Sequence, residues 1–219
     1  MDKVYVAIPC LDTISASFAQ CLVELQAPAG MEIEPHFNIG TLVYDSRNHL
    51  AEMAIGSKAK YTFWLDSDMI FMPDTLVSMM DTMEKNNLRI LTAPYYKRRH
   101  PFTPTLYKRF DIHPKAGIRS EEFEELPDEL FKVAACGFGC VLMRTDVLMN
   151  VLVSYGPQFS PIGIVGEDIS FCWRARQLRE EIWCDPSIAL GHEAHMIITK
   201  STRSAFINGN VVKTQRRGE

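Results

Sequence analysis

Asp66-Ser67-Asp68 stands directly behind the apolar run Tyr61-Thr62-Phe63-Trp64-Leu65. In extended geometry two acids at i and i+2 point to one side, with Cα atoms about 6 to 7 Å apart. Carboxylates that emerge together from an apolar strand repel each other unless a cation or a set of donors lies between them, and such oxygens suit Mg²⁺ or Mn²⁺. The same pair also suits a helix-capping role, because Pro73 and a helix follow.

Three other groups could join that chemistry. Glu167-Asp168 opens a helix after Gly163-Ile164-Val165-Gly166, where acids either complement the helix dipole or accept a proton from an attacking hydroxyl. His192 and His195 follow the run Ile188-Ala189-Leu190, with Gly191 between. A histidine there is either a satisfied loop residue or a nitrogen ligand completing a carboxylate metal site. Arg47-Asn48, at the start of a helix, either clamps phosphate through a charge-assisted fork or faces solvent.

A basic zone runs from Tyr95-Tyr96-Lys97-Arg98-Arg99-His100 through Lys108, Arg109, Lys115 and Arg119, interrupted by Asp111 and reversed in sign over Glu121 to Glu129. It reads as a solvated segment of self-compensating charges, or as a site for a diphosphate or an anionic acceptor. Aromatic residues among the cations suit stacking on sugar rings or on nucleic-acid bases.

These groups need a scaffold to bring them together. Val4 to Ile8 reads as a buried strand closed by Pro9, and Ser15 to Gln26 as a helix with Phe18, Ala19, Leu22 and Leu25 on one face. Met31 to Asn38 resembles a second strand. Asp45 or Ser46 is then expected to cap a helix whose face is Leu50, Met53, Ala54 and Ser57 and whose end is marked by Gly56 and Lys60. Tyr61 to Leu65 is a strand, Pro73-Asp74 opens a helix to Asn86, and Arg89 to Thr92 is the next strand. This alternation predicts an α/β fold with an open, mainly parallel sheet flanked by helices, which binds ligands beyond the carboxyl ends of its strands. Residues 94–127 break the pattern and read as a functional loop or hairpin excursion. Beyond it, Leu130 to Ala135 and Gly139 to Met143 are expected as strands, Thr145 to Ser154 and Gly166 to Glu180 as helices, and Ile182 to Cys184 and Ile188 to Leu190 as short strands.

Composition narrows the classes. With 219 residues, 47% hydrophobic and 23% charged, the chain can bury one full core and is too apolar for a disordered protein. A net charge of −4 argues against a surface that neutralises nucleic acid throughout. The longest apolar stretch, Ala134 to Met143, is about half of a membrane span. The start Met1-Asp2-Lys3 lacks the features of a signal peptide, so a cytoplasmic protein is expected. Six cysteines without a Cys-x-x-Cys fit reduced core thiols. A zinc site from Cys136, Cys140, Cys172 and Cys184 has poor spacing.

Five segments in order carry a family resemblance. They are Arg47-Asn48, then Phe63-Trp64-Leu65-Asp66-Ser67-Asp68-Met69 with Pro73, and Gly137-x-Gly139 with Val141-Leu142-Met143-Arg144. Gly166-Glu167-Asp168-Ile169-x-Phe171-Cys172-x-Arg174 and Ile182-Trp183-Cys184-Asp185-Pro186-x-Ile188-x-x-Gly191-His192 complete the set. Together they resemble the landmarks of GT-A fold glycosyltransferases, most closely the family 2-like enzymes of bacteria and phages, over residues 3–195. The resemblance implies a Rossmann-like GT-A domain over residues 1–195 with a tail at 196–219. It implies a metal-dependent, hexosyltransferase-like enzyme moving a sugar from a nucleotide-diphosphate donor to a hydroxyl acceptor.

It also implies roles. Asp66 and Asp68 match the family's Asp-x-Asp, which holds the donor and its Mn²⁺ or Mg²⁺. His192 matches a further metal ligand, and Asp168 with Glu167 matches the catalytic acidic pair. Arg47 matches a basic position near the nucleotide, with Asn48 beside it as a substrate-binding candidate, and Gly137 and Gly139 lie where backbone approaches the donor sugar or acceptor. Tyr95, Lys97 and Arg98 are added as substrate-binding candidates from the basic zone. A UDP-sugar is favoured over a GDP-sugar, and a glycan or small hydroxylated acceptor over modified DNA.

The sequence departs from the family pattern at Pro9-Cys10-Leu11-Asp12, in the lack of an acid near His36 to Asn38, and in having no downstream Gln-x-x-Arg-Trp. A single-addition enzyme is therefore expected, and the resemblance implies inversion, as family 2-like members usually invert. Of the alternatives, a nucleotidyltransferase should carry a Gly-rich basic loop where Pro9-Cys10-Leu11-Asp12 stands. A non-catalytic binding module would not need Asp66, Asp68, Asp168 and His192 together.

Overall fold

Residues of alternate parity along the first strand, β1 (Asp2–Cys10), bury against opposite layers, as a period of two requires. Val4, Val6 and Ile8 face one core, and Tyr5 and Ala7 the other. The computed structural model describes residues 2–40, 42–113, 117–195 and 197–199. Beside β1 lie β2 (Met31–Ile39) and β3 (Tyr61–Leu65), both parallel to it. The short strands β5 (Ile90–Thr92), β8 (Phe131–Val133), β10 (Cys140–Arg144) and β11 (Ile182–Cys184) complete a seven-stranded sheet in the order β2-β1-β3-β10-β5-β11-β8. Only β10 and β8 run against the rest, so the sheet is mainly parallel, as the alternation of elements predicts.

Helices cover both faces. Phe18 of α1 (Ala16–Glu24) and Leu76, Met79, Met80 and Met83 of α3 (Thr75–Lys85) pack on one side. On the other side lie α2 (Val43–Ser57), α4 (Thr145–Tyr155) and α5 (Glu167–Gln177). Ser15 caps α1, its Oγ accepting from Phe18 N at 2.9 Å.

The start of α2 differs from expectation. Neither Asp45 nor Ser46 is the cap: the helix begins at Val43, and the Ser46 hydroxyl instead accepts from Asn38 Nδ2 at 2.9 Å. Its buried face is Ser46, Arg47, Leu50, Ala51 and Ala54, while Met53 is exposed. The face is rotated because a charged residue, Arg47, is buried within it and finds its counter-ions inside the fold. The helix ends at Lys58, in the left-handed region.

Two further small sheets stand apart from the main one. In the excursion, β6 (Leu106–His113) pairs with β7 (Gly117–Glu122) as a hairpin and with β9 (Ala135–Cys136). Lys115 of the basic zone lies outside the described residues, as do Met196 and residues 200–219 of the expected tail. The strand expected at Ile188 to Leu190 forms later, as β12 (Leu190–His192), and pairs with an unforeseen β4 (Met69–Phe71). The delay has a local cause: Asp185 Oδ1 accepts from both Ser187 N and Ser187 Oγ, which turns the chain before it can pair. No helix among the described residues is long and apolar enough to cross a membrane. All six cysteines are free.

Candidate active site

The carboxyl ends of β1, β2 and β3 and the first turn of α2 border a cleft of about 210 Å³. Its lining includes Pro9, Leu11, Val43 and Ser46, with Asp66, Ser67 and Asp68 on the floor strand's side. The two aspartates do not continue the strand. Met69 N donates to Asp66 O at 3.1 Å, closing a turn at Ser67-Asp68, and both aspartates line the cleft. They take different partners.

Asp66 faces Arg47, whose Nη2 donates to Asp66 Oδ1 at 2.7 Å and whose Nε donates to Glu167 Oε1 at 3.3 Å. The Arg47 side chain is only 3% exposed. Its guanidinium lies 5.8 Å from the Trp64 ring, 5.4 Å from Phe138 and 6.0 Å from Phe159, an aromatic cage in which cation–π attraction offsets lost hydration. Its third nitrogen, Nη1, is buried with no hydrogen-bond partner among the described residues. Burial pulls the Arg47 pKa down, but Asp66, Glu167 and Asp168 outweigh it and hold the charge in place. Asp66 is raised by burial, against the pull of Arg47. Asn48 serves the same cage, its Oδ1 accepting from Phe159 N at 2.8 Å.

Asp168 follows Glu167 in the first turn of α5. Burial, and then the neighbouring Glu167 charge, push its pKa up to about 6, against the pull of Arg47 and of the Ile169 N–H that bonds its Oδ1 at 2.7 Å. A carboxylate so raised is ionised at neutral pH and is a stronger base than an exposed one.

Asp68 meets His192. The β4–β12 ladder sets His192 opposite Met69, and Glu193 N donates to Asp68 O at 2.8 Å, which brings His192 Nε2 to 3.4 Å from Asp68 Oδ2. The other ring nitrogen, Nδ1, lies 2.8 Å from the carbonyl oxygen of Tyr96. A carbonyl can only accept, so Nδ1 carries a hydrogen, while Nε2 faces the Asp68 carboxylate; burial pulls the imidazole pKa down, but the Asp68 and Tyr96 acceptors outweigh it and raise it. Arg98 Nη1 also reaches Asp68 Oδ2, at 2.9 Å. Burial raises the Asp68 carboxyl, but His192 and Arg98 outweigh it and hold it below the usual range. His195 is exposed.

Tyr95 fixes the other wall. Its hydroxyl accepts from Gly139 N at 3.1 Å, Gly139 O in turn accepts from Asp66 N at 3.1 Å, and the ring stands edge-on to His192 with centroids 5.2 Å apart. Both glycines are required by this ring. A Cβ on Gly137 would stand 2.1 Å from Tyr95 Oη, and one on Gly139 would stand 2.7 Å from Tyr95 Cζ. Gly137 and Gly139 therefore admit Tyr95 to the core. In the basic zone, Lys97 pairs with Glu122, and Lys108 and Arg109 with Glu121, so much of its charge is neutralised within the hairpin.

The glycosyl transferase family 2 model matches residues 40–152, just over half of the chain. The chain belongs to that family. The matched span holds Arg47, Asp66 and Asp68 and stops short of Glu167, Asp168 and His192. Among solved structures, this family 2 chain is similar to A197 from STIV at 15% identity, with a TM-score of 0.63, 89% of this chain and 87% of that one covered. It is also similar to GalNAc-T7 with UDP, GalNAc and Mn²⁺ at 9% identity, with a TM-score of 0.57, 89% of this chain and 43% of that one covered. At such identities the likeness establishes the GT-A fold. No curated protein matches the sequence.

Among the described residues of this glycosyltransferase domain, no three His, Cys, Asp or Glu side chains gather into a ready cation cage. The donor chemistry nevertheless fits a divalent ion at Asp68 and His192: a carboxylate oxygen and an imidazole nitrogen stand side by side, and the Tyr96 carbonyl accepts from Nδ1, which leaves Nε2 as the nitrogen that would face an ion. Asp66, in the same cleft lining as Asp68, is engaged by Arg47. Two protein ligands are enough for an ion that keeps waters and binds substrate phosphates. What sequence reasoning missed is the aromatic cage, whose signal was Trp64 on the opposite face of β3 from Phe63, and the β4 strand, whose signal was the Met69-Ile70-Phe71 run.

Proposed function

We propose that this family 2 domain is a metal-dependent, inverting glycosyltransferase that moves one hexose at a time from a UDP-sugar to a hydroxyl of a glycan or small acceptor in the cytoplasm. The observation that carries the reading is the Asp68–His192 pair, 3.4 Å apart, with Asp68 in the lining of the cleft at the carboxyl ends of β1, β2 and β3.

The cleft's apolar walls, Pro9, Leu11 and Val43, give a nucleoside flat contact, while Asp66 and Ser46 offer polar groups. Asp68 and His192 would hold Mn²⁺ or Mg²⁺, which supplies charge stabilisation to a departing diphosphate. Asp168 takes the proton of the acceptor hydroxyl as that oxygen attacks the anomeric carbon, a contribution of about 10² to 10⁴-fold. Glu167 keeps Asp168 basic by its charge, and Arg47 prevents the acids from neutralising one another by proton uptake. The neutralised hairpin charges favour an uncharged acceptor over DNA.

The test is a thermal-shift screen of UDP-, GDP- and dTDP-sugars with and without Mn²⁺. A UDP-sugar should raise the melting temperature only when the ion is present, by mass action on the native state. No shift with any of them would overturn the reading.

A further inference from the structure

Asp68 Oδ2 carries two partners at once, His192 Nε2 at 3.4 Å and Arg98 Nη1 at 2.9 Å. The Arg98 contact bears on how a cation reaches the site. Asp68 is the ion partner found for Arg98 among the described residues, and the Arg98 side chain is half exposed, so it is held at its tip and not by packing. The segment that carries it is tied at its base. Tyr96 bridges Pro104, Lys97 N donates to Thr103 O at 2.9 Å, and the Tyr96 carbonyl is bonded by His192. Arg98 can therefore leave Asp68 while the base of its segment keeps orienting His192.

We propose that Arg98 is a built-in counter-cation for Asp68, which a divalent ion displaces when it binds Asp68 and His192, so that the freed guanidinium becomes available to the donor's diphosphate. The inference rests on the metal reading proposed above. Its physical basis is competition. Both cations use the same carboxylate oxygen, and the repulsion of two positive charges at that distance in a partly buried site is worth several-fold in affinity. Without a cation, Asp68 would stand close to Asp66 with its own charge uncompensated, and the two carboxylates repel. Arg98 removes that repulsion in the ion-free protein. An exposed guanidinium fork on a tethered segment suits diphosphate oxygens once it is released.

Calorimetric titration of Mn²⁺ without nucleotide, into the wild-type chain and into Arg98→Gln and Asp68→Asn, tests the exchange. Arg98→Gln should bind Mn²⁺ about 5 to 20-fold more tightly than wild type at low salt, with the gap narrowing as salt screens the Arg98–Asp68 pair. At saturating Mn²⁺ the same variant should bind UDP about 10-fold more weakly. Equal or weaker Mn²⁺ binding by Arg98→Gln would overturn the proposal, and if Asp68→Asn still abolished binding, the metal reading would survive it. Wild-type affinity for UDP in a variant that gains Mn²⁺ affinity would also overturn it as stated. Failure of all three proteins to bind Mn²⁺ would remove both readings. Circular dichroism and melting temperature establish that each variant is folded.

Discussion

Arg47 Nη2 lies 2.7 Å from Asp66 Oδ1, a charged contact that ties the buried face of α2 to the carboxyl end of β3. The same guanidinium reaches Glu167 at the start of α5, so a single buried cation joins three elements. Arg47→Met should cost about 3 to 5 kcal/mol in urea unfolding at pH 7.5, because it leaves carboxylates without a counter-ion in a low-dielectric site. The loss should shrink as pH falls, since protonated carboxyls need no counter-ion. Arg47→Lys keeps the charge but not the fork, and should lie between the two. A methionine variant as stable as wild type would show that the network carries no stability.

Asp168 is held in a state that stability alone would not select. Its pKa, pushed up to about 6, lies above that of an unfolded aspartate, so the folded state binds this proton more tightly than the unfolded state does. The stabilising share is complete below the unfolded value and is lost as pH rises through about 6. At pH 7.5 the ionised carboxylate therefore strains the fold. Asp168→Asn should raise stability by about 1 to 3 kcal/mol at that pH while abolishing transfer. Near pH 4 the gain should vanish, because the wild-type carboxyl is then protonated. Calorimetric melting at both pH values checks the sign.

The main sheet was legible in the sequence because its strands are short apolar runs with clear stops. Tyr61 to Leu65 reads as a strand residue for residue, and the alternation of Val4, Val6 and Ile8 with Tyr5 and Ala7 matches the two cores. The carboxylates and His192 could be picked out by type and by their place after strands. Their pairing was implied by the family resemblance and not by local pattern. It depends on a three-residue ladder between β4 and β12 and on a turn at Ser67-Asp68, both set by tertiary hydrogen bonds that leave little local pattern. Arg47 was visible as a candidate but not as a buried one, since only the fold reveals that two acids and three rings surround it. Gly137-x-Gly139 suggested an approach of backbone to substrate, and the space is filled by Tyr95.

That filling makes Gly139 a sensitive position. A methyl group there would stand 2.7 Å from Tyr95 Cζ, 2.9 Å from its Cε1 and 3.0 Å from Met69 Sδ, and the ring is buried with little room to give. Gly139→Ala should cost about 1 to 3 kcal/mol by overpacking. The displaced ring would disturb the bond from Gly139 N to Tyr95 Oη, and Gly139 O also anchors Asp66 N. Donor binding should therefore weaken along with the melting temperature. Gly139→Ala combined with Tyr95→Leu, which removes the ring, should recover most of the stability but not the alignment of Asp66. Full recovery of donor affinity in the double variant would separate Tyr95 from the site.

The acid limb of turnover offers the most direct check on the base. If Asp168 accepts the acceptor's proton, kcat/KM should fall about tenfold per pH unit below about 6, because protonated Asp168 cannot act and free-enzyme ionisation governs this parameter. Asp68 and His192 also lie near the donor, so loss of donor binding must be separated from loss of proton transfer. Direct titration of UDP with Mn²⁺ over the same pH range does this. Where UDP affinity is flat and kcat/KM falls, the falling limb belongs to the acceptor's deprotonation. Glu167→Gln removes the neighbouring charge that helps raise Asp168, so it should move the limb toward lower pH while leaving its slope unchanged. A limb that stays in place in that variant would assign the base to another group.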